Sequence, residues 1–306
     1  MYKNNSIIDD LKWQFNHGNI VNRLVLINIF VFLFFCIVKV FFFFVEQTAS
    51  YEGMMDWLYL PAAPLKIIQR PWTFVSYQFL HAGFLHILFN MLWLYWLGRI
   101  LVQYTSERRI FFLYIFGGFF GGLAYILAYN FIPVFATVTS KAFMLGASAS
   151  VMAIIVATAT LLPNYEIRLF FIGFVKLKYI ALVAILLDVI TISESNPGGH
   201  IAHLGGAFFG WWFMSRFQKG TDLSAGFYRA IDWTKEKLSK NPSPKMVYKN
   251  EEKINERYPE TNVSIEKDRQ AAVDAILDKI SAGGYDSLSA EEKEFLFRFS
   301  KEDEVT

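Results

Sequence analysis

The feature that most constrains this chain is an apolar run that recurs six times, at residues 24–45, 77–101, 110–130, 146–162, 174–192 and 201–217. A helix needs about 20 mostly apolar residues to cross the hydrocarbon core of a bilayer. Charge is correspondingly scarce there. The first 217 residues hold 23 of the 56 Asp, Glu, Lys and Arg, and 28 of the 32 Phe. Soluble domains carry about 25% charged residues, and no soluble fold of this size could cover so much apolar surface. The expected fold class is therefore all-α: a polytopic membrane bundle of six helices over 24–217, preceded by a cytoplasmic segment at 1–23.

The intervening stretch 46–76 is long and semi-polar, with Trp57, Tyr59, Trp72 and prolines at 61, 64 and 71. It suits a loop in the headgroup region rather than a seventh span. Basic residues set the orientation. Lys3, Lys12, Arg23, Arg99, Arg108, Arg109, Arg168, Lys176, Lys178, Arg216 and Lys219 fall on one side, against Lys66, Arg70 and Lys141 on the other. By the positive-inside rule both termini are expected in the cytoplasm. A net charge of +2 gives no basic footprint for nucleic acid. The single Cys36 excludes a disulfide framework and a Cys-based metal site. His86, His200 and His203 could ligate zinc, but no carboxylate or Cys is placed to complete such a site, and no cofactor or metal is expected.

Intramembrane ionisable groups are functional candidates by default. Four of the five His fall in two clusters, His81 with His86 and His200 with His203. The derived topology puts both at the outer ends of spans two and six. It also puts Gly146-Ala147-Ser148-Ala149-Ser150 at the outer end of span four. His86 and Asn90 share a helix face at i,i+4, whereas His81 should lie about 140° away. Gly206 and Gly210 line one face of span six, and Ala149, Ala153 and Ala157 one face of span four. Two such small-residue faces allow close helix approach, which would bring Ser148 near His203. That pairing suits nucleophilic catalysis, with Ser148 attacking and His203 as its base. His86, Asn90 and the Ser148 backbone N–H would be the oxyanion donors. Asp188 and Lys39 read as snorkelling or locally paired groups, so His203 is expected to lack an orienting acid. The pair would then be a dyad. His200 reads as a cap or loop contact and His81 as structural.

These residues resemble the rhomboid family of intramembrane serine proteases. His81-Ala-Gly-Phe-Leu-His86-Ile-Leu-Phe-Asn90 is similar to its His-x4-His-x3-Asn motif. Gly146-Ala-Ser148-Ala149 is similar to its Gly-x-Ser-Gly, and His203-x2-Gly206-x3-Gly210 to its sixth-helix motif. The resemblance covers residues 20–217. It implies a serine endopeptidase that cleaves transmembrane protein substrates in the lipid bilayer near their outer boundary, at small residues. Substrate would enter laterally, past a mobile fifth helix and the loop at 193–200. It also implies an integral, multi-pass protein, placed here in the inner membrane of a bacterium. The alternative is a catalytically inactive rhomboid-like factor that binds or sorts membrane proteins. Three positions depart from the family pattern: Ala149 replaces a Gly, Trp72-Thr73 stands for a Trp-Arg pair with Arg70 nearby, and Met152 stands where some members have a Tyr against the histidine.

The last 89 residues are polar. Residues 218–250 read as a linker, marked by Asn241-Pro-Ser-Pro244. Residues 251–306 read as a small cytoplasmic α-hairpin. One helix is expected at 264–280, ended by Gly283-Gly284, and a second opened by a Ser289-x-x-Glu292 capping box. So small a hairpin cannot bury its apolar face alone. Docking, self-association or a cytoplasmic partner is expected of it.

Overall fold

In the computed structural model, residues 6–169, 172–238 and 261–302 are described. The Asn241–Pro244 linker marker and Lys3 lie outside them. The described residues fall into two units, divided between Lys235 and Glu236.

The first unit opens with α1 (Ile7–His17), whose N-terminus is closed by a Ser6–Asp9 capping box, and continues into α2 (Ile20–Phe44). A loop region follows with α3 (Thr48–Asp56), β1 (Leu60–Pro61), α4 (Pro64–Gln69) and α5 (Thr73–Ser76). Next come α6 (Phe84–Tyr104), α7 (Glu107–Phe131), β2 (Phe143–Met144) and α8 (Ser148–Leu161). The strands β3 (Glu166–Leu169) and β4 (Gly173–Lys176) lead to α9 (Leu177–Thr191), α10 (Pro197–Gln218) and α11 (Ser224–Leu238). Among the described residues, α2, α6 and α7 are long and apolar enough to cross a membrane, and α8 is a shorter apolar helix. Phe30, Ile37, Phe41, Phe43 and Phe44 of α2 are all exposed. An apolar face of that extent demands lipid rather than water around it. The protein is an integral membrane protein.

The centre of the unit is α8, buried along almost its whole length between α7, α10, α6 and α9. Its Ala-rich surface permits that position. Gly206 lies against the Ala149 backbone and Gly210 against the Ala153 backbone, where a side chain at either glycine would collide. Gly117 and Gly121 of α7 face the Ala153 and Ala149 methyls in the same way. Such backbone approaches replace the hydrophobic drive that is missing between helices in lipid.

The 46–76 stretch is more ordered than a surface loop, because its polar groups are satisfied locally. Arg70 Nη1 donates to the Asp56 carboxylate at 2.6 Å and to the Asp56 carbonyl at 2.9 Å. Its guanidinium lies 4.1 Å from the centre of a Trp57 ring, and Trp72 stacks on Trp57 at 6.0 Å. β1 pairs antiparallel with β2, Leu60 opposite Met144. A buried polar chain then links four segments. Asn28 Nδ2 of α2 donates to Tyr114 Oη at 3.0 Å, Tyr114 Oη donates to the Gln78 carbonyl at 3.1 Å, and Ser150 Oγ of α8 donates to Gln78 Oε1 at 3.2 Å.

Within the stretch expected to be a linker, α11 packs its Phe227 against Phe112 and Phe116 of α7. Arg109 Nε donates to Asp222 at 2.8 Å just before it. Burying Phe227 and pairing Asp222 give the segment a reason to fold that its overall polarity conceals.

The second unit contains α12 (Thr261–Gly283) and α13 (Ala290–Glu302). Val273, Ile276 and Leu288 are buried within it. Ser289 Oγ accepts from the Glu292 N–H, and Glu292 Oε2 accepts from the Ser289 N–H at 2.8 Å, which closes the capping box. Lys279 Nζ pairs with Glu292 Oε1 at 2.6 Å.

Candidate active site

The start of α8 is set by its approach. β2 is held by β1, and the Gly146 N–H donates to the Tyr77 carbonyl at 2.9 Å. Gly146 then turns at φ +130°, and a Cβ there would lie 2.9 Å from His86 Cε1 and 3.5 Å from Ser148 Oγ. Only glycine tolerates both that backbone and that proximity. Ser148 thus emerges as the first residue of α8, beside the His86 imidazole. The first N–H groups of a helix have no intrahelical acceptor and carry the positive end of its dipole.

His86, Asn90, Ser148 and His203 line one cleft of about 750 Å³. Its walls are α6 and α9 and its floor is α8, with Phe89, Trp93, Val151, Ile155, Val183 and Leu187 giving an apolar lining. Asn90 is 7% exposed, and its Nδ2 donates one hydrogen to the His86 carbonyl at 2.9 Å. Depth is consistent between elements. α8 has 14 residues, about 21 Å of helix at 1.5 Å per residue, against about 30 Å of hydrocarbon. His203 is the seventh residue of α10, about 9 Å below that helix's start.

Three sequence expectations need correcting here. His203 does have an acidic neighbour: its Nδ1 lies 2.8 Å from Asp188 Oδ1 on α9. Asp188 is 5% exposed, so it is paired in the interior rather than snorkelled to the surface. His200 is neither cap nor loop. It lies inside α10, with its Nδ1 2.8 Å from the same Asp188 oxygen, while Asn196 caps the helix by accepting from the Gly199 N–H. His81 is not placed by helical spacing, because α6 begins only at Phe84, although it does line a different cleft from His86. Its ring meets that of His86 edge-on at 5.2 Å.

Asp188 was detectable. It is the only acidic residue in the six apolar runs. It stands four residues before the end of the fifth run, and His203 is the third residue of the sixth. Lys39 lines a different cleft with Glu52 and His81.

Comparison with known proteins bears on the family. Residues 69–218 match the Rhomboid domain model. The chain is a rhomboid-family protein. Residues 251–302 match a family of unknown function, DUF6576. The chain is similar to Rhomboid protease GlpG of Serratia proteamaculans (strain 568), with 36% identity over 78 residues, 26% of this chain and 28% of that one. It is similar to Rhomboid protease GlpG of Pectobacterium atrosepticum, with 37% identity over 62 residues, 20% of this chain and 22% of that one. RHOMBOID-like protein 12, mitochondrial, of Arabidopsis thaliana is 27% identical over 157 residues, 48% of this chain and 47% of that one. The chain therefore covers less than half the length of each of these relatives.

Proposed function

We propose that this rhomboid-family protein is an intramembrane serine endopeptidase in which Ser148 is the nucleophile and His203 its general base. One observation carries the reading: a hydroxyl, two imidazoles and an amide from α6, α8 and α10 line the same cleft, at the end where α8 begins. A serine hydroxyl is a weak nucleophile until a base takes its proton. As Ser148 Oγ bonds to the scissile carbonyl carbon, its proton passes to His203 Nε2 and the carbonyl π pair moves onto oxygen. The His86 imidazole, the free Asn90 amide hydrogen and the Ser148 N–H are the donors for that oxyanion, aided by the α8 dipole. Collapse expels the amine, which takes the proton from His203. Water then repeats the sequence on the acyl-enzyme and releases the acid product.

The substrate class follows from the walls. The cleft between α6 and α9 is apolar along its length and polar only at its end. It fits a transmembrane segment entering from the lipid and unwinding at the polar end. Residues 24–217 then form the six-span membrane domain and 251–306 a cytoplasmic appendage that meets a partner or a second copy. The basic-residue asymmetry favours cytoplasmic termini in a bacterial inner membrane.

The test is purified protein incubated with a transmembrane reporter, wild type beside Ser148→Ala, with fluorophosphonate labelling mapped by mass spectrometry. Cleavage lost in the variant and label on Ser148 are expected. Cleavage by Ser148→Ala refutes the assignment. A wild type that neither cleaves nor labels supports the binding or sorting role instead.

A further inference from the structure

We propose that Asp188 is the positioning residue for His203, so that this chain works with a Ser–His–Asp relay rather than an unsupported pair. The proposal rests on the assignment of Ser148 and His203 above. Three observations carry it.

The first is geometry. Asp188 Oδ1 stands 2.8 Å from the Nδ1 of both His203 and His200. An ionised carboxylate can only accept, so each Nδ1 carries a proton. A neutral imidazole has one donor and one acceptor nitrogen. His203 Nε2 is then left with its lone pair, on the ring edge away from Asp188, in the cleft that Ser148 lines. That is the tautomer a general base requires. When Nε2 takes the serine proton, the resulting imidazolium already faces an anion. The carboxylate holds its own charge throughout and accepts no proton.

The second is cost. A carboxylate buried within a membrane span is expensive and rare, and here its second oxygen, Oδ2, is buried with no hydrogen-bond partner. A purely structural pairing would be better served by a neutral amide. The third is Met152. It lines the cleft with His203 at the position where some rhomboid members place a Tyr against the histidine. The thioether offers His203 no ring to lie against, and support comes instead from α9.

The same three side chains bring their donor atoms within 4.8 Å of one another and so resemble a metal cluster. The hydrogen-bond reading fits better, because both Nδ1 atoms stand at hydrogen-bond distance from a single oxygen. An ion would need about 2 Å to each donor, with their lone pairs converging on it rather than on one another.

The test compares wild type, Asp188→Asn and Asp188→Glu in detergent, reading kcat and KM separately, the fluorophosphonate labelling rate of Ser148, and the His203 tautomer by nitrogen-15 NMR. A hydrogen bond to a charged group implies a loss of about 10- to 100-fold in kcat for Asp188→Asn, with KM nearly unchanged. Labelling should slow in parallel, and Asp188→Glu should recover part of the rate. In wild type His203 should be the Nδ1–H tautomer, a readout that needs no variant to fold. An Nε2–H tautomer in wild type overturns the proposal. So does a wild-type kcat in folded Asp188→Asn while Ser148→Ala is dead, and that outcome leaves the serine protease assignment standing. Cleavage abolished by EDTA and restored by zinc would make the trio metal ligands and equally overturn it.

Discussion

Gly206 is the most informative position to perturb, because it connects helix packing to chemistry. Its neighbour across the α8–α10 contact is the Ala149 backbone, one residue from Ser148, and His203 lies three residues before it on α10. In Gly206→Ala the new methyl would sit 2.8 Å from the Ala149 carbonyl carbon and closer still to its oxygen, whereas ordinary contact begins at 3.4 Å. Backbone cannot rotate out of the way as a side chain can. The helices must part by about 1 Å or bend, and overpacking of this kind costs about 1–3 kcal/mol. The same displacement falls on the distance between nucleophile and base, where about 1 Å of misplacement costs about 100-fold in rate. We expect Gly206→Ala to lower thermal stability modestly in detergent and to lower reporter cleavage and Ser148 labelling by about two orders of magnitude. Gly53→Ala is the matched control, in α3 with nothing within 4 Å of the new methyl. It should keep full activity and gain up to about 1 kcal/mol from helix propensity. A folded Gly206→Ala protein with wild-type kcat would refute the reasoning, since the close approach would then not be what places Ser148 against His203.

Two further outcomes follow from the geometry. Asn90→Ala removes a proposed oxyanion donor and should lower kcat by about 100- to 1000-fold in steady-state cleavage, whereas a loss confined to KM would place Asn90 in substrate binding instead. Burial alone would raise the Asp222 carboxyl, but hydrogen bonds from the Ser224 hydroxyl and N–H and from Arg109 outweigh it and hold it below 3.8. Its stabilisation is complete above the unfolded value and drains as pH falls through the lowered one, so wild-type thermal stability should drop as pH falls below about 4 and Asp222→Asn should flatten that drop.

The parts legible in the sequence are those governed by spacing within one element. Apolar runs about 20 residues long mark where α2, α6 and α7 lie, to within a few residues at most ends. The glycines at 206 and 210 and the alanines at 149 and 153 mark faces, and those faces meet. The Ser289–Glu292 box is local and forms as spacing requires. What spacing cannot give is which side chain crosses from one helix to another. His81 precedes the first turn of α6, so a helical angle misplaces it. α11 is stabilised by contacts made 100 residues or more away, such as the Tyr228 hydroxyl donating to the Arg108 carbonyl at 2.7 Å. Asp188 meets two histidines on the next helix across the 192–196 connection, and only the equal depth of the two helix ends hints at the pairing.

The three departures from the rhomboid pattern obey one physical rule: each altered residue is accommodated by what touches it on a neighbouring segment. Ala149 is larger than the usual glycine, and its methyl faces Gly121 of α7, where any side chain would collide with it. The first-loop arginine is displaced to position 70. From there it still grips the loop, through the Asp56 carboxylate and the Trp57 ring. Met152 gives His203 no ring to lie against, and Asp188 supplies a hydrogen bond from a different helix. A motif read position by position would count three weakened sites. Read as contacts, close packing, loop anchorage and histidine support are all retained, because each depends on a pair of residues rather than on one. The histidine support, however, changes in kind. An aromatic neighbour restrains a ring by shape, whereas a carboxylate also selects its tautomer. In the proposed mechanism the Met152 position therefore bears on how the base is held, and Asp188 on how it works.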